Sequence, residues 1–209
     1  MWALVPLKLL ANAKQRLADK LTPQQRQGLV LAMAQDVLGA LQRSNQIERI
    51  VLISRNAEAT SLAQPFAAEV FAEQEGADLP QALREGVAHA LQNGASGVCI
   101  IPADAPRVTT ADIDLLIAQH QVCTVVPDHS CVGTNALVLS PPNILDPIFD
   151  GSSFVPHLCA AVSARLPVRV FASASLGLDI DTPSDLVTLK ASAGASASKA
   201  FLKALAGTS

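Results

Sequence analysis

Residues 97–106 read Gly-Val-Cys-Ile-Ile-Pro-Ala-Asp-Ala-Pro, so an apolar run ends at an aspartate, Asp104, that lies between two prolines. A second acidic stretch, Leu-Asp-Ile-Asp-Thr-Pro-Ser-Asp at 178–185, contains Asp181. In an open α/β sheet, ligands bind at the carboxyl ends of the strands, so carboxylates there face the cleft. Mg²⁺ usually takes one or two carboxylates and completes its shell with water and substrate phosphates. Taken together, the two stretches indicate a site for metal or phosphate chemistry.

Each stretch also has a purely structural interpretation. An aspartate after a buried strand often caps the next helix, and Asp-Thr-Pro-Ser-Asp at 181–185 is a good strand-turn-helix signal with proline at the first helical position. Either stretch alone is ambiguous, and only their combination favours metal or phosphate chemistry.

Strand-like apolar segments alternate with helical patterns along the chain. The strand-like segments are 2–5, 49–54, 69–72, 97–102, 123–127, 136–140 and 168–171. Helical patterns cover 22–41, 79–90 and 111–119, the first opened by a capping box at Thr22 and the last by Thr109 or Thr110. Such alternation predicts an α/β fold with a mostly parallel sheet covered on both faces. Between 122 and 171, prolines and a Gly-Ser-Ser turn predict a small insertion, either a mixed-sheet excursion or a lid.

Composition limits the classes of function. A chain of 209 residues with 50% hydrophobic content can form one large core, which we assign to 1–190. The Ala/Ser-rich segment 191–209 is interpreted as a flexible tail with a loosely docked terminal helix. A net charge of -3 without a cluster of Lys and Arg argues against nucleic-acid binding. No apolar run reaches the ~18 residues of a membrane helix, and no secretory signal is apparent.

The four cysteines have no CxxC spacing, and we interpret them as reduced thiols in or near the core. This composition predicts a cytoplasmic protein that acts on small molecules. An apolar, proline-rich stretch at 143–149 is a candidate surface for a homodimer.

Three cations, Lys8, Lys14 and Arg16, follow the first strand. In an α/β fold this loop commonly binds nucleotide phosphates, although a solvated basic turn is the simpler alternative. The chain contains neither G-x-x-x-x-G-K-[ST] nor G-x-G-x-x-G, which argues against a Walker-type NTPase and a dinucleotide-binding protein.

If the three cations, Asp104 and Asp181 form one site, they suit the attack of an anion on the α-phosphorus of a magnesium-bound triphosphate. Such catalysis depends on positioning and charge stabilisation. It needs no general base, because a phosphate or carboxylate is already a nucleophile.

Six motifs, taken in their order along the chain, carry a family resemblance. They are Val-Pro-Leu-Lys at 5–8, Ala-Lys-Gln-Arg-Leu at 13–17, Pro-Ala-Asp-Ala-Pro at 102–106, Gly-Thr-Asn-Ala-Leu at 133–137, Gly-Ser-Ser-Phe at 151–154 with His157, and Asp-Ile-Asp-Thr-Pro-Ser-Asp-Leu at 179–186. Across nearly its whole length the chain resembles the 2-phospho-L-lactate or phosphoenolpyruvate guanylyltransferases of coenzyme F-420 biosynthesis. That family has a three-layer α/β/α nucleotidyltransferase fold of the GT-A type, which is Rossmann-like.

The resemblance implies transfer of GMP from GTP to a phosphorylated three-carbon acid, with release of pyrophosphate. It implies that Asp104 and Asp181 hold Mg²⁺, with Asp179 as a further ligand or as a residue that orients the loop. Lys8, Lys14 and Arg16 would contact the triphosphate, and Lys14, Arg16, Asp104 and Asp181 would form the catalytic set. The acceptor pocket would be lined by Thr134, Gly151 and Ser153, where backbone N–H and hydroxyl groups can hold a phosphate.

Several alternatives stay open at this stage. The acceptor could be phosphoenolpyruvate, 2-phospho-L-lactate or 3-phospho-D-glycerate, since a few residues discriminate such similar anions. Residues 77–80 read Ala-Asp-Leu-Pro where the family usually has Gly-Gly-Leu-Asn, so the guanine contacts are not assigned. His157 is a candidate to point a ring nitrogen at an anion, and a helix-capping or surface role fits its position in the sequence equally well.

Two other functions remain possible. One is a nucleotidyltransferase of the molybdenum-cofactor or sugar-phosphate type, but those families usually carry a glycine-rich first loop and this chain has no glycine before Gly28. The other is a noncatalytic nucleotide-binding protein of the same fold, which should lack at least one metal-binding carboxylate.

Overall fold

The computed structural model describes residues 1–8, 10 and 13–207. The strands in this part of the chain are β1 (Trp2–Pro6), β2 (Arg49–Ile53), β3 (Glu69–Phe71), β4 (Val98–Ile100), β5 (Cys123–Pro127), β6 (Thr134–Leu139) and β7 (Val168–Val170). The α-helices are α1 (Pro23–Gln42), α2 (Ala59–Ala63), α3 (Leu79–Gln92), α4 (Thr110–Ala118), α5 (Phe154–Ser163), α6 (Pro183–Ala191) and α7 (Ala197–Ala206). Each of the strand-like segments predicted from the sequence contains or overlaps a strand.

The strands form one sheet in the order β3-β2-β1-β4-β6-β5-β7. All neighbouring strands run parallel except β6, which is antiparallel to both β4 and β5. The segment between 122 and 171 is therefore the mixed-sheet excursion that the sequence predicted. Because β6 runs backwards, its first residues, Thr134 and Asn135, lie at the edge where the parallel strands end.

Side chains of each central strand alternate between two apolar clusters, one on each face of the sheet. In β1, Ala3 and Val5 face the cluster formed with α1, α2, α4, α6 and α7. Trp2 and Leu4 face the cluster formed with α3 and α5. The protein is therefore a three-layer α/β/α structure, as predicted, and both faces of the sheet are covered.

Local sequence signals explain where several helices begin. Capping boxes open α1, α4 and α6, each with a threonine hydroxyl that accepts from the backbone N–H three residues later while that residue's side chain accepts from the threonine N–H. The pairs are Thr22 with Gln25, Thr109 with Asp112, and Thr182 with Asp185. Proline occupies the first turn of α1 and α6, where no N–H is needed. Of the two caps predicted for α4, Thr109 is the one that forms.

The C-terminal helix is held by specific contacts. The carboxylate of Asp36, on α1, accepts hydrogen bonds from Ala197 N at 2.6 Å and Ser198 N at 3.0 Å, which satisfies free N–H groups at the start of α7. Leu202 is buried in the apolar cluster that contains Ala3 and Val5, which we call the main core, and the Phe201 ring packs over Gly28. The terminal helix expected within 191–209 is therefore docked more closely than the Ala/Ser-rich composition suggested, and residues 208–209 lie outside the described residues.

The apolar residues at 143–149 serve this chain's own core. Leu145 and Phe149 are buried in the cluster that contains α3 and α5, so they do not present the free apolar surface that was the basis for expecting a homodimer there.

Two cysteines, Cys99 and Cys123, are buried as expected, whereas Cys131 and Cys159 are exposed rather than near the core, and all four are free thiols. Among the residues described, no helix combines the length and apolar character that crossing a membrane would require.

Candidate active site

Two cavities lie side by side at the carboxyl edge of the sheet. The first has a volume of about 530 Å³ and extends from the loop after β1 to the start of α3. The second, about 520 Å³, extends from the start of β6 to the start of α6. Four residues, Leu79, Pro102, Asp104 and Asp181, line both cavities. A group bound in one cavity would therefore meet a group bound in the other at the two carboxylates.

The side chain of Lys14 joins these carboxylates. Its Nζ lies 2.6 Å from Asp104 Oδ2 and 2.5 Å from Asp181 Oδ1, and the side chain is only 8% exposed. Burial alone would lower the pKa of this ammonium, but the charges and hydrogen bonds of the two aspartates outweigh it and hold the pKa above its ordinary value. Lys14 lines only the first cavity, and its ammonium is therefore a cation held by the two carboxylates that line both cavities.

The backbone of Lys14 is also unusual. Its φ and ψ are both 49°, in the left-handed region that non-glycine residues seldom adopt. This conformation precedes a short 3₁₀ turn at Gln15–Leu17, whose Leu17 is fully buried in the main core. The buried leucine and the two carboxylates together hold the strained residue in place, a combination found at functional sites.

The acidic stretch at 178–185 caps α6 and also places a carboxylate beside the two cavities. Asp185 accepts hydrogen bonds from the backbone N–H groups of Asp181 and Thr182, at 3.0 Å and 2.7 Å, and so belongs to the cap of α6. Asp181 precedes that cap and points its carboxylate at Lys14. The backbone N–H of Ile180 donates to Asp104 O at 3.1 Å, which fixes the two stretches to each other.

Asp179 is the third carboxylate of this region. Its Oδ1 accepts a hydrogen bond from Asn135 Nδ2 at 3.2 Å. Burial, followed by repulsion from Asp104, raises the pKa of Asp179 above its ordinary value. Three carboxylates therefore lie near one another while Lys14 pairs with only two of them, so an added positive charge would relieve their repulsion.

The donor set suits a hard divalent cation in part. Within residues 1–8, 10 and 13–207 no group of three or more His, Cys, Asp or Glu side chains converges as a metal cage. Two partly exposed carboxylates beside two cavities are nevertheless the kind of protein ligand that Mg²⁺ uses when substrate phosphates supply the rest. The residues present fit such an ion at Asp104 and Asp181.

The other two cations of the first loop line different cavities. Lys8 is exposed and lines the first cavity together with Lys14. Arg16 lines the second cavity, and its Nη1 lies 4.0 Å from Asp181 Oδ2. The structure therefore divides the cationic set, with Lys8 and Lys14 in the lining of the first cavity and Arg16 in the lining of the second.

The three residues expected at an acceptor pocket lie together in the second cavity. Thr134 and Ser153 are buried, and Gly151 has a φ of 90° that favours glycine. Ser153 is the N-cap of α5 but makes no side-chain capping bond, so its hydroxyl is not used by the helix. Asp128, which the sequence analysis did not single out, organises the neighbouring loop by accepting from Ser130 Oγ, Val132 N and Gly133 N.

His157 does not point at the cavity, and it has neither the anion-binding role nor the helix-capping or surface role considered from the sequence. The ring is fully buried, its Nδ1 lies 2.9 Å from Thr134 Oγ1, and its Nε2 accepts from Ile148 N at 2.8 Å. Burial lowers the pKa of His157 to about 4. A neutral ring with both nitrogens occupied within the protein cannot bind an anion directly.

The far end of the first cavity contains a carboxylate that sequence reasoning missed. Glu73 follows β3 and lines this cavity with Arg55 and Gln74. Glu73 Oε2 is buried and has no hydrogen-bond partner in the part of the chain that the structure describes. Buried oxygens without a hydrogen-bond partner are rare, because such an atom lowers the stability of the fold unless a ligand donates to it. No sequence motif marks Glu73, because it lies in an irregular segment.

The altered segment at 77–80 forms the start of α3. Asp78 is the N-cap and accepts from Gln81 N at 2.8 Å, while Pro80 lies in the first turn. Ala77 and Leu79 line the first cavity. The substitution of the usual family residues therefore preserves a capped helix start at this cavity.

The whole chain matches a known family, and its fold matches solved nucleotidyltransferases. Residues 1–208 match the family described as guanylyl transferase CofC like. The structure also resembles a putative nucleotide-diphospho-sugar transferase from Desulfovibrio desulfuricans G20, with a TM-score of 0.79 at 19% identity over 96% of this chain and 93% of the other. A nucleotidyl transferase from Methanothermobacter thermautotrophicus gives a TM-score of 0.71 at 15% identity over 97% of both chains. These distant structures support the fold.

Closer relatives are similar in sequence over most of their length. A phosphoenolpyruvate guanylyltransferase from Sphaerobacter thermophilus is 38% identical over 94% of this chain and 95% of its own. A 2-phospho-L-lactate guanylyltransferase from Methanothermobacter thermautotrophicus is 32% identical over 88% of this chain and 81% of its own. The family match and these relatives agree with the resemblance found from the sequence motifs. The chain belongs to the CofC-like guanylyl transferase family.

Proposed function

We propose that the protein transfers GMP from GTP to a small phosphorylated three-carbon acid and releases pyrophosphate, as a step of coenzyme F-420 biosynthesis. The observation that carries the proposal is the pair of cavities that meet at Asp104 and Asp181, the two carboxylates that hold the Lys14 ammonium. In this proposal GTP occupies the first cavity and the acid occupies the second. The reacting phosphates then lie at the shared wall.

The reaction balances without a general base. A phosphate oxygen of the acid forms a bond to the α-phosphorus of GTP, the bond from that phosphorus to the β-phosphate bridging oxygen breaks, and pyrophosphate leaves as an anion. The nucleophile is already ionised, so the protein has only to position the two anions and offset their repulsion. Lys14 supplies a fixed positive charge where they meet, with Lys8 and Arg16 on either side.

Mg²⁺ bound at Asp104 and Asp181 would neutralise part of the triphosphate charge and stabilise the charge that develops on the leaving pyrophosphate. Asp179, held by Asn135, would keep the acidic loop in place and add negative charge near that ion. Because both metal-binding aspartates also hold Lys14, changes in either one should affect the cation and the triphosphate together.

Glu73 supports the choice of guanine. A carboxylate can accept hydrogen bonds from both N1–H and the 2-amino group of guanine, whereas the corresponding edge of adenine carries no such pair of donors. An unpaired carboxylate oxygen in the wall of the first cavity suits that edge. Arg55, in the same wall, can donate to guanine O6 or N7.

Relatives narrow the acceptor to a class. Those compared above are named for phosphoenolpyruvate and for 2-phospho-L-lactate, and each of these acids carries one phosphate and one carboxylate on three carbons. Thr134, Gly151, Ser153 and Arg16 offer two hydroxyls, a flexible backbone and a cation for such an anion. The same groups suit 3-phospho-D-glycerate.

Four free cysteines and no disulfide in the described chain suit a reducing cytoplasm.

Pyrophosphate release tests the proposal directly. Each of the four common nucleoside triphosphates is combined with Mg²⁺ and with phosphoenolpyruvate, 2-phospho-L-lactate or 3-phospho-D-glycerate in turn. We expect release with GTP and at least one acid, and loss of release when EDTA removes the metal. Release with a different nucleotide, or with none, would overturn the proposal.

Variants at the shared wall test the site itself. Asp104→Asn and Asp181→Asn remove charge but little volume, so we expect turnover to be lost while the protein stays folded, with a loss of about 1–2 kcal/mol in unfolding free energy because Lys14 loses one of its two partners. Asp19→Asn, at an exposed position, is the matched control and should leave turnover unchanged. Full activity of the double variant with normal magnesium dependence would contradict the site assignment.

A further inference from the structure

The hydrogen bonds of His157 fix which of its nitrogens carries a proton. The backbone N–H of Ile148 can only donate, and it points at Nε2 from 2.8 Å. Nε2 must therefore accept, which places the single proton of a neutral ring on Nδ1. The ring is fully buried, and burial keeps its pKa near 4, so the neutral form is the one present at physiological pH.

This tautomer also fixes the direction of the next hydrogen bond. Nδ1–H lies 2.9 Å from Thr134 Oγ1, so the histidine donates and the threonine oxygen accepts. A threonine hydroxyl has one hydrogen and two lone pairs. Because His157 uses a lone pair, the hydroxyl hydrogen remains available on the side where Thr134 lines the second cavity.

We propose that His157 is a positioning residue that makes the Thr134 hydroxyl a hydrogen-bond donor toward the acceptor substrate. The chain of donors runs from Ile148 N–H to His157 Nε2 and from His157 Nδ1–H to Thr134 Oγ1. It ends with Thr134 O–H directed at an anionic oxygen of the acid. The inference rests on the proposed function, and it adds a residue that controls acceptor binding without touching the acceptor.

The direction matters because the acceptor is an anion. A hydroxyl that donates to a carboxylate or phosphate oxygen makes a charge-assisted hydrogen bond, whereas one that presents a lone pair repels it. Without His157, the Thr134 hydroxyl could rotate to donate elsewhere within the protein. Asp150 lies close enough to act on the His157 ring by its charge. Its carboxylate would not replace the lost Nδ1–H donor, because an ionised carboxylate only accepts hydrogen bonds.

Four variants test this by kinetics. Thr134→Val removes the hydroxyl at nearly constant shape, and His157→Leu removes both ring hydrogen bonds. Loss of a hydrogen bond to a charged group predicts that each raises KM for the acid by about 10- to 100-fold, with little change in KM for GTP. In the double variant, the second change should add nothing, because the hydroxyl on which His157 acts is already absent.

His157→Gln is the conservative control. Its amide oxygen can accept from Ile148 N and its amide N–H can donate to Thr134, so we expect KM for the acid to return to within a few-fold of the original. This variant also keeps the test decisive if His157→Leu does not fold. Additive effects of His157→Leu and Thr134→Val, equal effects on both KM values, or no rescue by glutamine would overturn the inference in favour of a merely structural role.

Nitrogen NMR of the unmodified protein checks the first link without any activity. In a ¹⁵N-histidine sample at pH 7, His157 should show a protonated Nδ1 and an unprotonated Nε2. The opposite tautomer, or a doubly protonated ring, would refute the positioning role even if GMP transfer is confirmed. If the expected tautomer is found but no acid is turned over, the proposed function fails and the hydrogen-bond arrangement stands.

Discussion

Lys14 has two unusual properties, a left-handed backbone and a nearly buried ammonium group between two aspartates. Lys14→Met keeps the apolar stem and removes the charge, so we expect kcat/KM for GMP transfer to fall by about 100-fold or more. The two carboxylates would then repel each other, and we expect a loss of about 1–2 kcal/mol in unfolding free energy, since both are partly solvated. Steady-state kinetics and urea unfolding measure the two effects.

Lys20→Met provides the comparison for that experiment. Lys20 is exposed, follows the same loop and lines neither of the two cavities at the site. Its loss should change neither rate nor stability by a measurable amount. If both lysine variants lose activity equally, the effect belongs to the overall charge of the loop and not to the bridge between Asp104 and Asp181.

Glu73 should determine the choice of base. Glu73→Gln keeps the shape but replaces one accepting oxygen with a donor that opposes the guanine N–H groups. We expect the ratio of kcat/KM for GTP to that for ATP to fall by about 10-fold or more, the worth of one lost hydrogen bond to a charged group. Inosine triphosphate, which lacks the 2-amino group, should lose less in the variant than GTP does.

Glu75→Gln serves as the matched variant on the same segment. The Glu75 side chain is 90% exposed and contacts Arg55 at 3.5 Å on the surface. Because such an exposed ion pair contributes little, Glu75→Gln should leave Arg55 in place and the nucleotide ratio unchanged. An unchanged ratio for Glu73→Gln as well would place the base contacts elsewhere in the first cavity.

These residues differ in how far the sequence could reveal them. Asp104 and Asp181 follow buried segments at a predictable edge of the sheet, so their proximity could be inferred from topology. The position of Lys14 could not, because it depends on a left-handed residue and a buried leucine in a loop without regular pattern. Glu73 is a single carboxylate in an irregular segment, and only its burial without a partner draws attention to it.

His157, on helix α5, should make the stability of the fold sensitive to acid. The pKa of this ring in the folded protein is about 4, below the ordinary value of 6.5, because burial penalises the charged form. The unfolded chain therefore binds the proton more readily, and stability falls as pH decreases through the interval from 6.5 to 4. Between pH 7.5 and pH 5, this group should cost about 2 kcal/mol of unfolding free energy.

Urea unfolding of His157→Gln at both pH values isolates that contribution. The variant has no titrating ring, so its loss of stability on acidification should be smaller than that of the parent by about 2 kcal/mol. His129→Gln, at an exposed position in the neighbouring loop, should retain the parent's acid dependence. Identical acid dependence for the parent and His157→Gln would show that the buried ring does not control it.

Helix α7 depends on the absence of a side chain at Gly28. A Cβ there would lie 2.6 Å from two carbons of the Phe201 ring, so Gly28→Ala should displace the ring and cost about 1 kcal/mol or more. In a Phe201→Ala background the clash is gone, and the same change should stabilise the protein by up to about 1 kcal/mol through helix propensity. Unfolding midpoints of the four proteins give the comparison. Equal effects in both backgrounds would mean that the ring does not pack there.

The accuracy of prediction for each element followed the strength of its pattern. Strands were recognisable because they are short apolar runs separated by helical periodicity. Helix α1 was recognisable from its capping box, and α4 from a threonine at its start. The place of β6 in the sheet, between β4 and β5, and its antiparallel direction could not be predicted, because both depend on pairing with strands that are distant in sequence. Close docking of α7 was unexpected because it is stabilised by Asp36 and Gly28, more than 150 residues earlier in the chain.

The antiparallel course of β6 gives the protein its two-sided site. The parallel strands β1 and β4 end at the first cavity and at the shared wall, whereas β6 begins at the second cavity. In the proposed function, this sheet edge binds two anions on opposite sides of Asp104 and Asp181. Neither anion would then need to displace the other, and the reaction would join them where the two cavities meet.

This arrangement predicts how the product should inhibit. The guanosine adduct of the acid would occupy both cavities at once, while GMP would occupy only the first and a nonreactive analogue of the acid only the second. Because binding of one half places the other half at a high effective concentration, the adduct should bind at least 100-fold more tightly than either half. In initial-rate kinetics the adduct should compete with both GTP and the acid, whereas each half should compete with its own substrate alone. An adduct that competes with GTP but not with the acid would mean that the two cavities do not bind the two substrates side by side.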